Sequence, residues 1–133
     1  MPLAAGLRAT VDAVVTAADT AVALGSGDLA VLGTPRVLAL AEAATVRAVS
    51  AALPPERTTV GIRVVLDHHA PAAVGAAMRA EAILERVEGN RLEFRVAVRS
   101  VQAASADTLE LAAGSITRMV VDRARFAGSP QLA

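Results

Sequence analysis

The chain contains no cysteine, lysine, tryptophan or tyrosine, and two phenylalanines are its only aromatic residues. The missing cysteine excludes a thiol nucleophile, a thiolate metal site and any disulfide staple. The missing lysine excludes Schiff-base chemistry and the usual lysine-containing phosphate loop. Charge of either sign is also lacking in excess, because thirteen arginines oppose thirteen acidic residues. A neutral chain with so few stacking side chains lacks what nucleic-acid binding needs, so no such partner is expected. No apolar run approaches the roughly 18 residues of a membrane span. Met1 to Ala5 is too short and too uncharged for a signal peptide, which leaves a cytoplasmic protein with no membrane partner as the expectation.

What is present is a chain of 133 residues, 54% of them hydrophobic. That is enough to bury one core, and a single domain over residues 1–133 is expected. The longest helix signal runs from Gly33 to Ser50, GTPRVLALAEAATVRAVS. Thr34 is placed to cap it with its hydroxyl, Pro35 suits the first helical position, and Pro54 with Pro55 stops it near Leu53. Ala, Leu and Val occupy nearly the whole circumference, which predicts a helix buried on most sides. Arg36, Arg47 and Ser50 share a narrow polar stripe. Glu42 lies about 120° away from it, beside Leu38, Ala39, Thr45, Val46 and Val49. A carboxylate on an apolar face costs several kcal/mol to desolvate unless it is paired, protonated or employed. An apolar surround would also favour acid–base work near neutral pH.

Strand signals flank the helix. Leu7 to Val15 alternates apolar with polar residues, and Thr16 with Asp19 has capping-box spacing for a short helix that Gly25 can end. Thr58 to His69 is a strand with Val60, Ile62, Val64, Leu66 and His68 on one face and Thr59, Gly61, Arg63, Val65, Asp67 and His69 on the other. Met78 to Glu85 and Leu92 to Arg99 alternate around a tight turn at Glu88-Gly89-Asn90-Arg91. After a polar link from Gln102 to Thr108, a last strand runs from Leu109 to about Arg123, with Gly114 as a bulge or a point of close approach. The tail beyond Phe126 is expected to be loose. One strand, a long helix and four strands in meander order predict an α+β domain, an antiparallel five-stranded sheet curled around a central helix.

Two ionisable residues stand on faces that are otherwise apolar, Glu42 and His68. They would meet if that strand face packs on the helix. His69 points to the opposite, solvated face, so the adjacent histidines make a poor metal pair and no metal site is expected.

The run GSGDLAVLGTPRVLALAEAA, followed by TTVGIRVVLDHHAPAAVG, resembles the hot-dog-fold thioesterases related to fluoroacetyl-CoA thioesterase, over Val15 to Asp122. In that family a Thr opens the central helix and a Glu follows eight residues later, as do Thr34 and Glu42. A His lies 26 residues beyond the Glu, with a Gly seven before it, matching His68 and Gly61. The Gly-Thr-His-x-Arg pattern of the final strand is Gly114-Ser115-Ile116-Thr117-Arg118 here, with Ile116 in place of the His.

The resemblance implies an acyl-CoA thioesterase with Thr34, Glu42 and His68 as the catalytic group, acting on a small or medium acyl thioester and needing no cofactor. Glu42 would activate water or attack the thioester, His68 would position the reacting groups, Gly61 would offer backbone to the carbonyl, and Arg118 would contact substrate. Eight helical residues separate Thr34 from Glu42 by roughly 12 Å. Contact between them needs a distorted helix start or a second subunit, and the resemblance implies a homodimer with sites at the subunit boundary. The rival is a catalytically silent hot-dog module that binds acyl-CoA or an acyl group. A hydratase fits less well, because its Asp-x-x-x-x-His motif is absent.

Overall fold

Strict alternation makes the middle of the sheet. Met78, Ala80, Ala82 and Leu84 on one strand and Leu92, Phe94, Val96 and Val98 on the next are all at most 2% exposed, while the residues between them carry the charge. The computed structural model describes residues 2–101 and 108–128. In chain order they form β1 (Arg8–Val14), a 3-10 turn (Ala17–Asp19), α1 (Ala21–Leu24), α2 (Thr34–Ser50), β2 (Arg57–His68), β3 (Ala77–Glu88), β4 (Arg91–Ser100), β5 (Glu110–Asp122) and α3 (Arg123–Ala127). The polar link, apart from Thr108, and the tail from residue 129 lie outside the described residues. The short α3 was not foreseen. Asp122 caps it, its carboxylate accepting from the Arg125 N–H at 2.9 Å.

The five strands form one antiparallel sheet in the order β1-β3-β4-β5-β2. Only β3, β4 and β5 make a meander. The expectation of four strands in meander order is corrected at β2, which lies on the far edge beside β5. The reason is the crossing segment that contains Pro71 and Gly75. Its backbone finds partners along the way: the His69 and Ala70 N–H groups donate to Leu111 O, Ala72 O accepts from Leu32, and Gly75 N–H donates to Val15 O. A segment satisfied at each step can traverse the end of the sheet at no cost in unpaired backbone.

The helix α2 packs across the sheet, chiefly on β1 and β3. Val37, Leu40, Ala41, Ala44, Thr45, Ala48 and Val49 form its buried face. In the single chain it is not buried on most sides, since Ala39, Ala43 and Val46 are exposed. The expected Thr34 cap is also corrected. Gly33 is the N-cap, and Thr34 is the first helical residue with its hydroxyl engaged elsewhere. Before α2, Asp19 accepts from the Thr16 N–H at 2.8 Å as expected of a capping box, and Gly25, at φ +73°, ends α1.

Two strand details matter for the site. A bulge between Gly61 and Arg63 in β2 reverses the alternation at Ile62. Thr59 and Gly61 therefore share the helix-facing side with Val64, Leu66 and His68, not the opposite side assigned from simple alternation. In β5 the irregularity falls at Leu111, between the Val98–Ala112 and Arg99–Glu110 pairs, rather than at Gly114. Gly114 is instead a close approach, because a Cβ there would run into the Val65 backbone.

Candidate active site

At the start of α2, the Thr34 hydroxyl and His68 Nδ1 are 2.8 Å apart. The hydroxyl is free for this because Gly33, not Thr34, occupies the cap position. His68 is the last residue of β2, and its Nε2 is buried without a partner among the described residues. The support beneath Thr34 comes from Asp19, whose carbonyl accepts from the Gly33 N–H at 2.8 Å and whose carboxylate lies 3.2 Å from the Arg36 guanidinium. Gly33 has to be small, because a Cβ would sit 3.1 Å from both Ala21 and Leu24.

Two turns further along α2, Glu42 meets Arg118 of β5, with Oε2 3.2 Å from Nη1. The surround of Glu42 is therefore ionic on one side, which corrects the apolar setting inferred from the helix alone. Arg118 is 7% exposed, and Thr59 grips it twice. Arg118 Nε donates to Thr59 Oγ1 at 2.8 Å, and Nη2 donates to the Thr59 carbonyl at 3.0 Å. Burial pushes the guanidinium below its ordinary value, and the Glu42 carboxylate pulls the other way. Gly61 pairs with Arg118 across the strands. A Cβ at Gly61 would lie 2.7 Å from Glu42 Oε2, so the absence of a side chain is what leaves room for the carboxylate.

The structure thus gathers Glu42, Gly61 and Arg118 at one point and Thr34 with His68 at another. Because α2 is regular from Thr34 onward, the two points stay roughly 12 Å apart along the helix, and Glu42 and His68 share no hydrogen bond. Thr59 was not singled out from sequence. It stands two residues before Gly61, and the bulge that turns both inward leaves no recognisable trace in composition. His69 is 46% exposed by side chain, with Nε2 3.2 Å from Glu110 Oε2 on the outer side. Ile116 takes up the expected histidine position as a core residue at 1% exposure, opposite Phe94 and Val64. Among the described residues no cluster of His, Cys, Asp or Glu is arranged to hold a metal, and no helix is long and apolar enough to cross a membrane.

Comparison with known proteins bears on this geometry. The profile of the fluoroacetyl-CoA-specific thioesterase family, FlK, matches residues 15–124. A phenylalanine-to-alanine mutant of the FlK thioesterase superposes with a TM-score of 0.84 at 28% identity, covering 100% of this chain and 99% of that one. The same mutant with fluoroacetate and CoA gives 0.81 at 28% identity, over 93% and 99% of the two chains. A thioesterase superfamily member from Thermus thermophilus shares the fold, with a TM-score of 0.82 at 24% identity over 95% and 89%. No curated protein matches the sequence. The fold is that of the hot-dog thioesterases, and the chain belongs to the fluoroacetyl-CoA-specific thioesterase family of thioester hydrolases.

Proposed function

We propose that the protein hydrolyses a small or medium acyl-CoA through Glu42, His68 and Thr34, in a homodimer whose sites combine the two halves from different protomers. The observation that carries this reading is the Glu42 carboxylate held by Arg118 over the bare backbone of Gly61. A thioester carbonyl laid against Gly61 comes within reach of that carboxylate. Glu42 takes a proton from water as the oxygen adds to the carbonyl carbon, and collapse of the tetrahedral adduct expels the thiolate, which takes up the proton. Direct attack by Glu42, with later hydrolysis of the anhydride, uses the same placement. His68 Nε2, unpartnered in the single chain, is available to hydrogen-bond the reacting groups, with Thr34 fixing the ring through Nδ1. Arg118, implied above as a substrate contact, acts first as the holder of Glu42, since Nε, Nη1 and Nη2 all donate within the chain.

The edge of the sheet supports the dimer. Among the described residues β2 has β5 on one side and no strand on the other, and Ile62, Val64 and Val65 along it are 47%, 39% and 48% exposed. A long apolar edge strand is an aggregation hazard unless it is covered. The exposed Ala39, Ala43 and Val46 of α2 extend the same apolar side. Antiparallel pairing of β2 with a second copy, centred on Val65 and with Ile62 as the bulged residue, sets Gly61 of one protomer opposite the partner's His68. That brings Glu42 toward the partner's Thr34 and His68 without distorting α2.

The test is release of free thiol from a panel of acyl-CoA substrates, run alongside light scattering after size exclusion. Turnover by a dimer that loses activity on dilution to monomer is the expected result. A fully active species near 13.5 kDa would sink the shared site. Tight binding of acyl-CoA without thiol release would favour the silent binding module instead.

A further inference from the structure

The stripe of α2 that begins at Glu42 continues through Val46, Val49, Ser50 and Leu53, at steps of three and four residues that keep them on one side of the helix. Below Glu42 these side chains wall a groove of about 180 Å³. Its other wall is the first stretch of β2, Arg57 to Thr59, and its end is closed by Pro54, Pro55 and Arg123. The groove therefore starts at Thr59, which clamps the holder of Glu42. It runs out toward two guanidinium groups, since Arg57 lies four strand residues, or roughly 13 Å, from Gly61.

Those two arginines differ from most of the others. Arg36, Arg79, Arg86, Arg91, Arg95, Arg99 and Arg118 each face a carboxylate. Arg57 instead gives Nη2 to the neutral amide of Asn90 at 3.0 Å, and Arg123 gives Nε to the carbonyl of Pro55 at 3.3 Å. Neither forms an ion pair among the described residues, although Glu56 and Asp122 adjoin them in the chain. The Asp122 carboxylate caps α3 instead. The result is an apolar trough with Ser50 on one wall, ending in two guanidinium groups tethered by neutral partners, with Asp122 across the strands from Arg57.

We propose that this groove is the docking path of the CoA carrier, with the pantetheine arm along Val46 and Leu53 and the nucleotide phosphates on Arg57 and Arg123. This rests on the acyl-CoA reading of the site above. An extended, uncharged arm suits apolar walls with a hydroxyl among them, and phosphates suit guanidinium forks. Arg57 is held in place through Asn90 of the β3–β4 turn and Arg123 through the Pro54–Pro55 turn, so both side chains are largely ordered before the ligand arrives.

The experiment compares one acyl group on two carriers, CoA and N-acetylcysteamine, which keeps the thioester and the end of the arm but has no phosphate. For the wild type, KM for the acyl-CoA should rise with salt, as expected of phosphate contacts. In the Arg57→Gln, Arg123→Gln double variant, KM for the acyl-CoA should rise by about ten-fold or more with kcat held, the scale of one charge-assisted hydrogen bond. The salt dependence should flatten, and the N-acetylcysteamine thioester should respond by less than about two-fold. The Arg57→Lys, Arg123→Lys pair, which keeps the charge, should retain most of the CoA affinity. Equal losses on both carriers would make the arginines structural and overturn the proposal, as would an unchanged KM for the acyl-CoA. Either result leaves the thioesterase reading standing as long as the wild type turns over. A wild type that releases thiol from neither carrier removes that reading and this groove with it.

Discussion

The two halves of the site are built in opposite ways. At one end, Thr34 and His68 touch through a single bond on an exposed residue, and the helix start beneath them is secured by Asp19 with surface contacts. At the other, Glu42 is held by a guanidinium that is 7% exposed and that Thr59 fixes through two oxygens. The buried half is pre-organised by three donated hydrogen bonds from one guanidinium, whereas the exposed half rests on the single contact between Thr34 and His68. The comparison teaches that a carboxylate held by several bonds and a histidine held by one can stand beside the middle and the start of the same helix.

The sharpest way to break this comparison is at the fixed carboxylate. Glu42→Gln keeps the size and some hydrogen bonding to Arg118 but can act neither as base nor as nucleophile, so thioester hydrolysis should fall by about 10²-fold or more. Circular dichroism and melting should change little. Activity within a few-fold of wild type would remove Glu42 from the mechanism.

The half at the helix start is tested by the neighbouring histidines. His68→Ala should cut turnover by about 10²-fold, a scale typical of a positioned catalytic side chain. His69→Ala removes only an exposed contact with Glu110 and should leave rates nearly unchanged. If His69→Ala does the damage, the inward direction of His68 is wrong, and so is the bulge that aligns it with Gly61.

A smaller effect probes the clamp. Thr59→Val deletes the oxygen that receives Arg118 Nε but keeps the side-chain shape and the Thr59 carbonyl. A carboxylate misaimed by a fraction of an ångström should lower kcat by about ten-fold, more than it changes KM. Thr59→Ser should restore the rate. Loss of stability alone, with kcat intact, would make Thr59 a packing residue.

The smallest effect belongs to Asp19. The Thr16 N–H, and to a lesser extent Arg36, hold its carboxyl below the usual carboxylate range. A lowered folded value means the stabilisation is present above the ordinary carboxylate value and is lost as pH falls through the folded one. Asp19→Ala should therefore lower the melting temperature modestly near neutral pH. That difference should fade under strongly acidic conditions, as followed by thermal melting across pH.

Much of the fold was legible because its elements obey local rules. The period-two alternation of Met78 to Leu84 and Leu92 to Val98 fixes which strand faces are buried, and the Gly89 turn joins them. The diproline at Pro54 and Pro55 ends the helix signal, and the Thr16–Asp19 spacing marks a cap. Glu42 was legible as a candidate from its place in an apolar helix stripe, and Gly61 and Arg118 from the spacing shared with a known family. What failed locally failed for a definable reason. Alternation placed Gly61 opposite His68, because a one-residue bulge has no signature in β-branched sequence.

By itself, then, the sequence determined the main helix and strands, the buried faces of β3 and β4 and a short set of candidate residues, most of which depend on neighbours a few positions apart. Only the tertiary structure decided that β2 crosses to the far edge beside β5. That same placement brings Arg118, 76 residues beyond Glu42, to its carboxylate. It also leaves Thr34 and Glu42 apart on one straight helix, because pairing partners and ion-pair partners are chosen by which strands lie side by side, and no local period encodes that.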